Sequence, residues 1–468
     1  LAMNSIPENY IEEKQFNDRI NLFFRKFKIY QALQHANAYK KRGVPVIQIF
    51  LYLFQLVFTN RSMYMNLIKN KDSNRDKNVD FKKDTVYRFL NSIYINWQTF
   101  VMTLASTVIN SHIKDLTSDD RINVIVVDDT FYGRLRSKCV EMLSFVRDHT
   151  DNKCKKGFRL LTLAWSDGNT LIPFNFCLLT SGKVEKHLCK MRDDIHKNTN
   201  GYKRRMQAMQ KAPDLMIAML RQAVEQHIPA KHVLFDSWFS YPAILMDIAK
   251  LKLHSIGRLK DTPNIKYSFN GKKMTLKEIY NSQKKRRGRS KYLLSVVVSI
   301  HNKEEETMDA RIVFVRDRNN RKKWIAIIST DLALSEEQII QTYGKRWDIE
   351  VFYKMCKTYL NLGREFQGLS YDMMTAHTAV VLSRYIMLAI ENRNNMDNRT
   401  IGELFYLCYD ELQDIKFDEV IQLILEILSE CLMEYFMIDD KRVNGFLRIF
   451  ISRLPEYLKL RLPKSKVA

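Results

Sequence analysis

The pattern of this chain changes once, sharply, near residue 120. Up to about residue 115 apolar residues recur at spacings of three and four, and Gly43 is the only glycine, which reads as helix throughout. Ile122 to Val127 is then a β-branched run broken only by Asn123, ending in Asp128-Asp129-Thr130. Such a run suits a strand buried on both faces, as in the interior of a sheet with helices over it. A chain that carries both patterns cannot be a simple bundle or a simple sandwich.

More strands follow. Gly157 to Ser166 and Leu171 to Leu179 flank Asp167-Gly168-Asn169, a hairpin turn by its chemistry. The polar, basic stretch 132 to 156 before them is expected to be mobile or to face a polyanion. Pro213 opens a helix that runs to His227, and His232 to Phe235 is a short strand finishing in Asp236. A helix from Tyr241 to Leu251 and a strand around Ser255 to Leu259 come next. From 260 to 330 the chain is β-rich, with Asn270-Gly271 as a turn and strands at Tyr292 to Ile300, Arg311 to Arg316 and Trp324 to Ser329. Ser335 starts a helix predicted to reach about Leu360 before Gly363 stops it, and residues 370 to 468 read as helix.

Lys and Arg number 75 against 52 Asp and Glu, a net charge of +23. That excess repels itself unless it meets a polyanion, so nucleic acid is the first partner to consider. Basic runs at Lys203-Arg204-Arg205, at Lys284 to Arg289 and at Arg318 to Lys323 fit this, although any one of them alone reads as a solvated loop. In the helical N-terminal stretch, Asp84-Thr85 would cap a short helix, Thr85 to Tyr94, that carries Arg88. A helix-turn-helix over 46 to 94 would lay it in a DNA groove, and an ordinary capped helix in a bundle fits as well.

Seven cysteines with no Cys-x-x-Cys pair argue against a disulfide framework or a zinc ribbon and for a reducing compartment. The apolar stretches Val46 to Phe58 and Ala379 to Ile390 contain Gln48, Gln55 and Arg384 and read as buried helices, so no membrane partner is expected. Glu8, Glu12 and Glu13 near the start leave no apolar signal region. Neither a Gly-x-x-x-x-Gly-Lys-Ser/Thr loop nor a Gly-x-Ser-x-Gly elbow occurs.

The residues that could carry chemistry are Asp128 or its neighbour Asp129, Asp236, and a helix face made of Tyr343, Arg346, Glu350 and Lys357. The offsets of 3, 7 and 14 place these four within an arc of about 60° on a regular helix. Spacing alone favours a solvated face with an ion pair between Arg346 and Glu350, and a strand-end aspartate alone favours a turn or cap. Together they offer three carboxylates, the hard oxygen ligands that Mg²⁺ prefers, beside cations able to grip phosphate. Two ions about 3.5 to 4 Å apart can drive in-line displacement at phosphorus.

Tyr343-Arg346-Glu350-Lys357, with two aspartates upstream in order, resembles the signature of the DDE transposases, in particular the insertion-sequence-four group of cut-and-paste enzymes. Four fixed positions would match by chance in such a chain only about 0.3% of the time. The resemblance implies an α+β or α/β fold with a ribonuclease-H-like core, a mixed sheet flanked by helices, with a β-rich insertion and helical N- and C-terminal regions. The corresponding division is 1–115, a DNA-binding domain; 116–259, the first part of the core; 260–330, the insertion; 331–365, the rest of the core with the glutamate helix; and 366–468, a region for dimerisation.

The resemblance also implies that Asp128, Asp236 and Glu350 hold two Mg²⁺ ions, with Mn²⁺ able to substitute. Asp128 is preferred over Asp129 because the family usually shows Asp, any residue, then Thr or Ser. Tyr343, Arg346, Lys357, Arg88, Arg286 and Arg287 would contact DNA. Trp324 sits where relatives place a tryptophan that stacks on a flipped base. The implied enzyme nicks and joins double-stranded DNA at element ends and target through a DNA hairpin. It would work as a homodimer in the bacterial cytoplasm, at the nucleoid. A nuclease of the same fold that does not transpose, and a DNA-binding protein with an idle acidic triad, are the rival readings.

Overall fold

The computed structural model describes residues 19–59, 63, 81–118, 121–148, 153–286, 290–302, 306–317, 323–366, 368–394, 428, 432–433 and 439–453. Helices α1 (Arg19–Lys26), α2 (Ile29–His35), α3 (Val46–Gln55), α4 (Lys83–Leu90) and α5 (Trp97–Val108) form the N-terminal layer. Aromatic side chains bind these helices together: the ring centroids of Phe24 and Phe54 lie 5.1 Å apart, and those of Phe50 and Phe100 5.0 Å apart. Edge-to-face pairs of this kind add to the burial of the rings themselves. Asn96 caps α5 by accepting from the Thr99 N–H, as an Asn side chain does at a helix start.

Eleven strands form one sheet: β1 (Val124–Gly133), β2 (Ser144–Asp148), β3 (Lys153–Ser166), β4 (Leu171–Leu179), β5 (His232–Phe235), β6 (His254–Arg258), β7 (Tyr267–Phe269), β8 (Lys272–Met274), β9 (Leu294–His301), β10 (Thr307–Arg316) and β11 (Trp324–Ser329). At its centre the order is β4-β3-β1-β5-β6, with β3 antiparallel to both neighbours and β1, β5 and β6 parallel. This mixed sheet flanked by helices is the ribonuclease-H-like arrangement. The strands from 260 to 330 extend the same sheet, because β11 pairs antiparallel with β6 and passes the edge on to β10 and β9.

Helices α6 (Asn200–Ala208), α7 (Ala212–Glu225), α8 (Pro242–Lys250) and α9 (Leu276–Ser282) lie between the strands in sequence, followed by α10 (Glu336–Gly344), α11 (Trp347–Thr358), α12 (Tyr371–Asn394) and α13 (Asp440–Arg453). α12 is long and apolar enough to cross a membrane, yet it is buried inside the protein. Its Arg384 donates to both carboxylate oxygens of Glu365, at 2.8 and 3.0 Å, and to the carbonyls of Leu53 and Phe54. A buried guanidinium needs such partners.

Four sequence expectations are corrected. β1 does not end at Val127; its pairing with β3 runs on to Gly133. The stretch 132 to 156 contains β2 and buries Val140, Met142 and Leu143, so most of it is packed rather than mobile. The helix expected over Thr85 to Tyr94 is Lys83–Leu90, without a side-chain cap, and Asn91 closes it by donating to the Tyr87 carbonyl. The helix expected from 335 to about 360 is broken into α10 and α11. Around Lys345 and Arg346 the backbone bonds run to the third residue back, and the Lys345 ammonium is drawn down to the Ile122 carbonyl at 2.6 Å. Gly344, a poor helix former, sits at the joint.

Much of the segment between α3 and α4 that a helix-turn-helix would need, and much of 395–468, lies outside the described residues.

Candidate active site

Two parallel strands bring the aspartates level. Val126 is the register partner of Leu234, and Asp128 and Asp236 each stand two residues beyond that pair. Side chains two apart share a face, and neighbouring strands lie about 4.8 Å apart. β5 has ended there while β1 continues, so the Asp128 side chain opens onto the edge that its neighbour leaves.

Burial pushes the Asp128 carboxyl up to about 7; Arg346 opposes this, and Asp129 and Asp236 add to it. Asp129 points elsewhere: its two oxygens take a bidentate grip from Arg159, with Nε donating to Oδ1 at 3.1 Å and Nη2 to Oδ2. The doublet therefore separates by strand alternation into one carboxylate that faces Asp236 electrostatically and one that is ion-paired.

α11 lies across β1. Arg346 Nη1 is 3.7 Å from Asp128 Oδ2, and Nη2 donates to Glu350 Oε1 at 2.5 Å. One turn further, the Tyr353 hydroxyl donates to the Asp128 carbonyl at 2.8 Å. Lys357 Nζ then donates to Thr130 Oγ1 at 2.6 Å. Arg346 also lies over the Tyr343 ring, 5.9 Å from its centroid. Burial raises the Tyr343 phenol and lowers the Lys357 ammonium relative to their ordinary values. The face that spacing picked out is thus laid against the strand that carries the first aspartate, in spite of the break at Lys345.

The arrangement of the three acids is open. Asp128 is coupled to Asp236, and Glu350 is tied to Asp128 through Arg346, but among the described residues no three Asp, Glu, His or Cys side chains stand close enough to hold a metal ion between them. The donor chemistry fits a hard divalent cation: three carboxylates, one of them with a raised proton affinity because its negative surroundings exceed the charge of Arg346.

A family model described as DDE superfamily endonuclease matches residues 65–322, more than half of the 468 residues. The chain belongs to this family. Membership in the DDE endonucleases makes it an enzyme of the nuclease and transposase class that acts on DNA, in a family that normally uses divalent metal ions. The match covers both aspartates and ends before the helix of Glu350. No curated protein matches the chain.

Other residues fall differently. Trp324 is half-buried against the core, stacked on Tyr280 at 5.1 Å and edge-on to Phe314 at 5.0 Å. Arg88 is exposed on α4, and Arg286 is exposed with its guanidinium 4.1 Å from the Tyr292 ring centroid. Arg287 lies outside the described residues, as do Arg318 to Arg321 and Lys322.

Lys203-Arg204-Arg205 is not a solvated run. Arg205 is buried and grips Glu141 at 2.7 and 2.8 Å and Asp372 at 2.9 and 2.6 Å.

Sequence reasoning missed Trp238. It is 42% exposed, two residues after Asp236, with Lys260 Nζ 5.6 Å and Arg159 Cζ 6.0 Å from its ring. Its own N–H donates to Asp236 Oδ1 at 2.9 Å, an Asx turn that orients the carboxylate. The Asp-Ser-Trp-Phe string was visible, but only the strand pairing shows that its tryptophan stands beside the acids.

Proposed function

We propose that the protein is a cut-and-paste DNA transposase of the insertion-sequence-four type, in which Asp128, Asp236 and Glu350 are the metal ligands. The observation that carries this reading is the contact of α11 with β1, where Arg346 touches both Asp128 and Glu350 and Lys357 reaches Thr130. Bound by the three carboxylates, two Mg²⁺ ions, or Mn²⁺ in their place, would activate the attacking water or 3′-hydroxyl and stabilise the leaving oxygen.

The chain's own residues supply the rest. Arg346 is suited to a bidentate hold on a phosphate beside the scissile bond, and Lys357 to a point-charge contact. Tyr353, fixed to the Asp128 carbonyl, holds the helix at its height on the strand. Trp238, flanked by two cations, offers a surface for an unstacked base. Arg88, Arg286 and Arg287 are assigned to backbone phosphates further along the duplex, and the protein acts as a dimer on paired ends. Hydrolysis comes first, and a hairpin at the element end follows.

The family description, an endonuclease, also favours cleavage without joining. Incubation of the purified protein with an element end, Mg²⁺ or EDTA separates the two. Metal-dependent nicking followed by joining supports the transposase, and nicking alone supports the nuclease. Binding with neither would mean an idle triad. Glu350→Gln should lower cleavage by about a thousandfold or more, several kcal/mol of transition-state stabilisation, while end binding stays nearly intact. Loss of binding with unchanged cleavage per bound complex would remove Glu350 from the ligand set.

A further inference from the structure

A cavity of about 260 Å³ lies between the end of α2, the first turn of α5, α6 and the end of α7. None of the residues that border it takes part in the site described above. Two of them carry buried donors without an acceptor: Trp97 Nε1, on a residue 1% exposed, and Arg204 Nη1, on a residue 6% exposed. The other nitrogens of Arg204 are used, with Nε donating to the Asn200 carbonyl at 3.1 Å and Nη2 to the Ile95 carbonyl at 2.5 Å. Asp372 is 3.5 Å from Arg204 Nε, but Arg205 holds it more closely.

An orphaned N–H in a folded interior is costly, and two on one cavity call for a shared acceptor. The electrostatics select its charge. Trp97, Gln98 and Thr99 are the first turn of α5 and Asn200 the first residue of α6, so two helix N-termini border the same space. N-termini present backbone donors and partial positive charge. Arg204 adds a full charge at depth and the exposed Lys203 another at the rim; Glu225, also exposed, is the one carboxylate on the border.

We propose that this cavity binds a phosphate group, held at depth by Trp97 Nε1 and Arg204 Nη1. Two sources share that chemistry, a phosphate of the DNA backbone and a free phosphate.

The test uses the full chain in chloride buffer. Inorganic phosphate is titrated calorimetrically into the wild type, Gln207→Glu and Trp97→Phe, and the same three proteins are titrated with a DNA duplex over a range of salt. Gln207 borders the cavity and is half-buried, so the substitution adds a negative charge with little change of shape. Trp97→Phe removes only the donor end of the ring system. For a free-phosphate site, the wild type binds phosphate saturably, Gln207→Glu weakens this by at least about tenfold, and DNA affinity is unmoved. For a backbone phosphate, both variants weaken DNA binding and lower the salt slope by about one, and inorganic phosphate competes weakly. If Gln207→Glu melts like the wild type and changes neither phosphate nor DNA binding, the proposal is overturned and ordered water satisfies the two donors. Should Trp97→Phe fail to fold, Gln207→Glu decides alone.

Discussion

Asp128 and Asp236 stand level on adjacent parallel strands, each two residues past the register pair Val126 and Leu234. They sit far apart in sequence, and only the β1-β5 pairing unites them. Asp128 feels Asp236 strongly enough that its carboxyl shifts upward in part for that reason.

The Asp128-Asp129 doublet should separate functionally. Asp128→Asn should abolish metal-dependent cleavage while leaving the fold as stable as the wild type or more so, because it removes a buried, poorly compensated carboxyl. Asp129→Asn should instead cost about 3 kcal/mol of stability, since it strips Arg159 of its bidentate partner. Denaturant unfolding and a nicking assay on both variants measure the two effects.

The pH dependence follows from the raised carboxyl. Asp128 has its folded-state pKa at about 7, above the usual carboxylate value. Between about pH 4 and 7 the folded state therefore keeps a proton that the unfolded chain has lost, so stability falls as pH rises through that window and levels off above it. Arg346 opposes this shift, and Asp129 and Asp236 promote it. Thermal melts of the wild type should decline relative to Asp128→Asn from pH 4.5 to 7. Divalent cation affinity, which needs the carboxylate free, should rise over the same interval.

The two tryptophans should trade the roles that sequence position suggests. Trp324→Ala, which empties a stack between Tyr280 and Phe314, should cost about 3 kcal/mol of stability and slow nicking and hairpin formation equally. Trp238→Ala, on an exposed ring, should leave the melting temperature nearly unchanged and weaken DNA binding by about 1 to 3 kcal/mol. Melting curves and gel-shift titrations distinguish them.

Arg205 is structural. Arg205→Ala leaves Glu141 and Asp372 buried without their shared cation and should cost about 3 to 5 kcal/mol or prevent folding. Lys284→Ala, on an exposed side chain, should instead weaken DNA binding with no loss of stability. Parallel unfolding and binding curves check the contrast.

Strands bracketed by turn or polar residues were legible to their last residue, as with Leu171–Leu179, His232–Phe235 and Trp324–Ser329. The spacing of Tyr343, Arg346, Glu350 and Lys357 located a face that does meet β1. What escaped depends on partners far along the chain. β1 continues past its apolar run because β3 supplies ten consecutive register partners. Arg204 and Arg205 read as solvated because Asp372, a long way downstream, completes their burial. The helix break at Lys345 reflects a pull from the Ile122 carbonyl, which no local propensity encodes. Trp238 drew no attention because a tryptophan after a strand is ordinarily core; its exposure is set by the strands around it.

The shared cation site is tested most directly by the anomalous difference map of a crystal grown with Mn²⁺ and a DNA end. Peaks within coordination distance of Asp128, Asp236 and Glu350, with Arg346 turned to a phosphate, are predicted. Manganese bound elsewhere, with Glu350 still on Arg346 and DNA seated on the protein, would contradict the account.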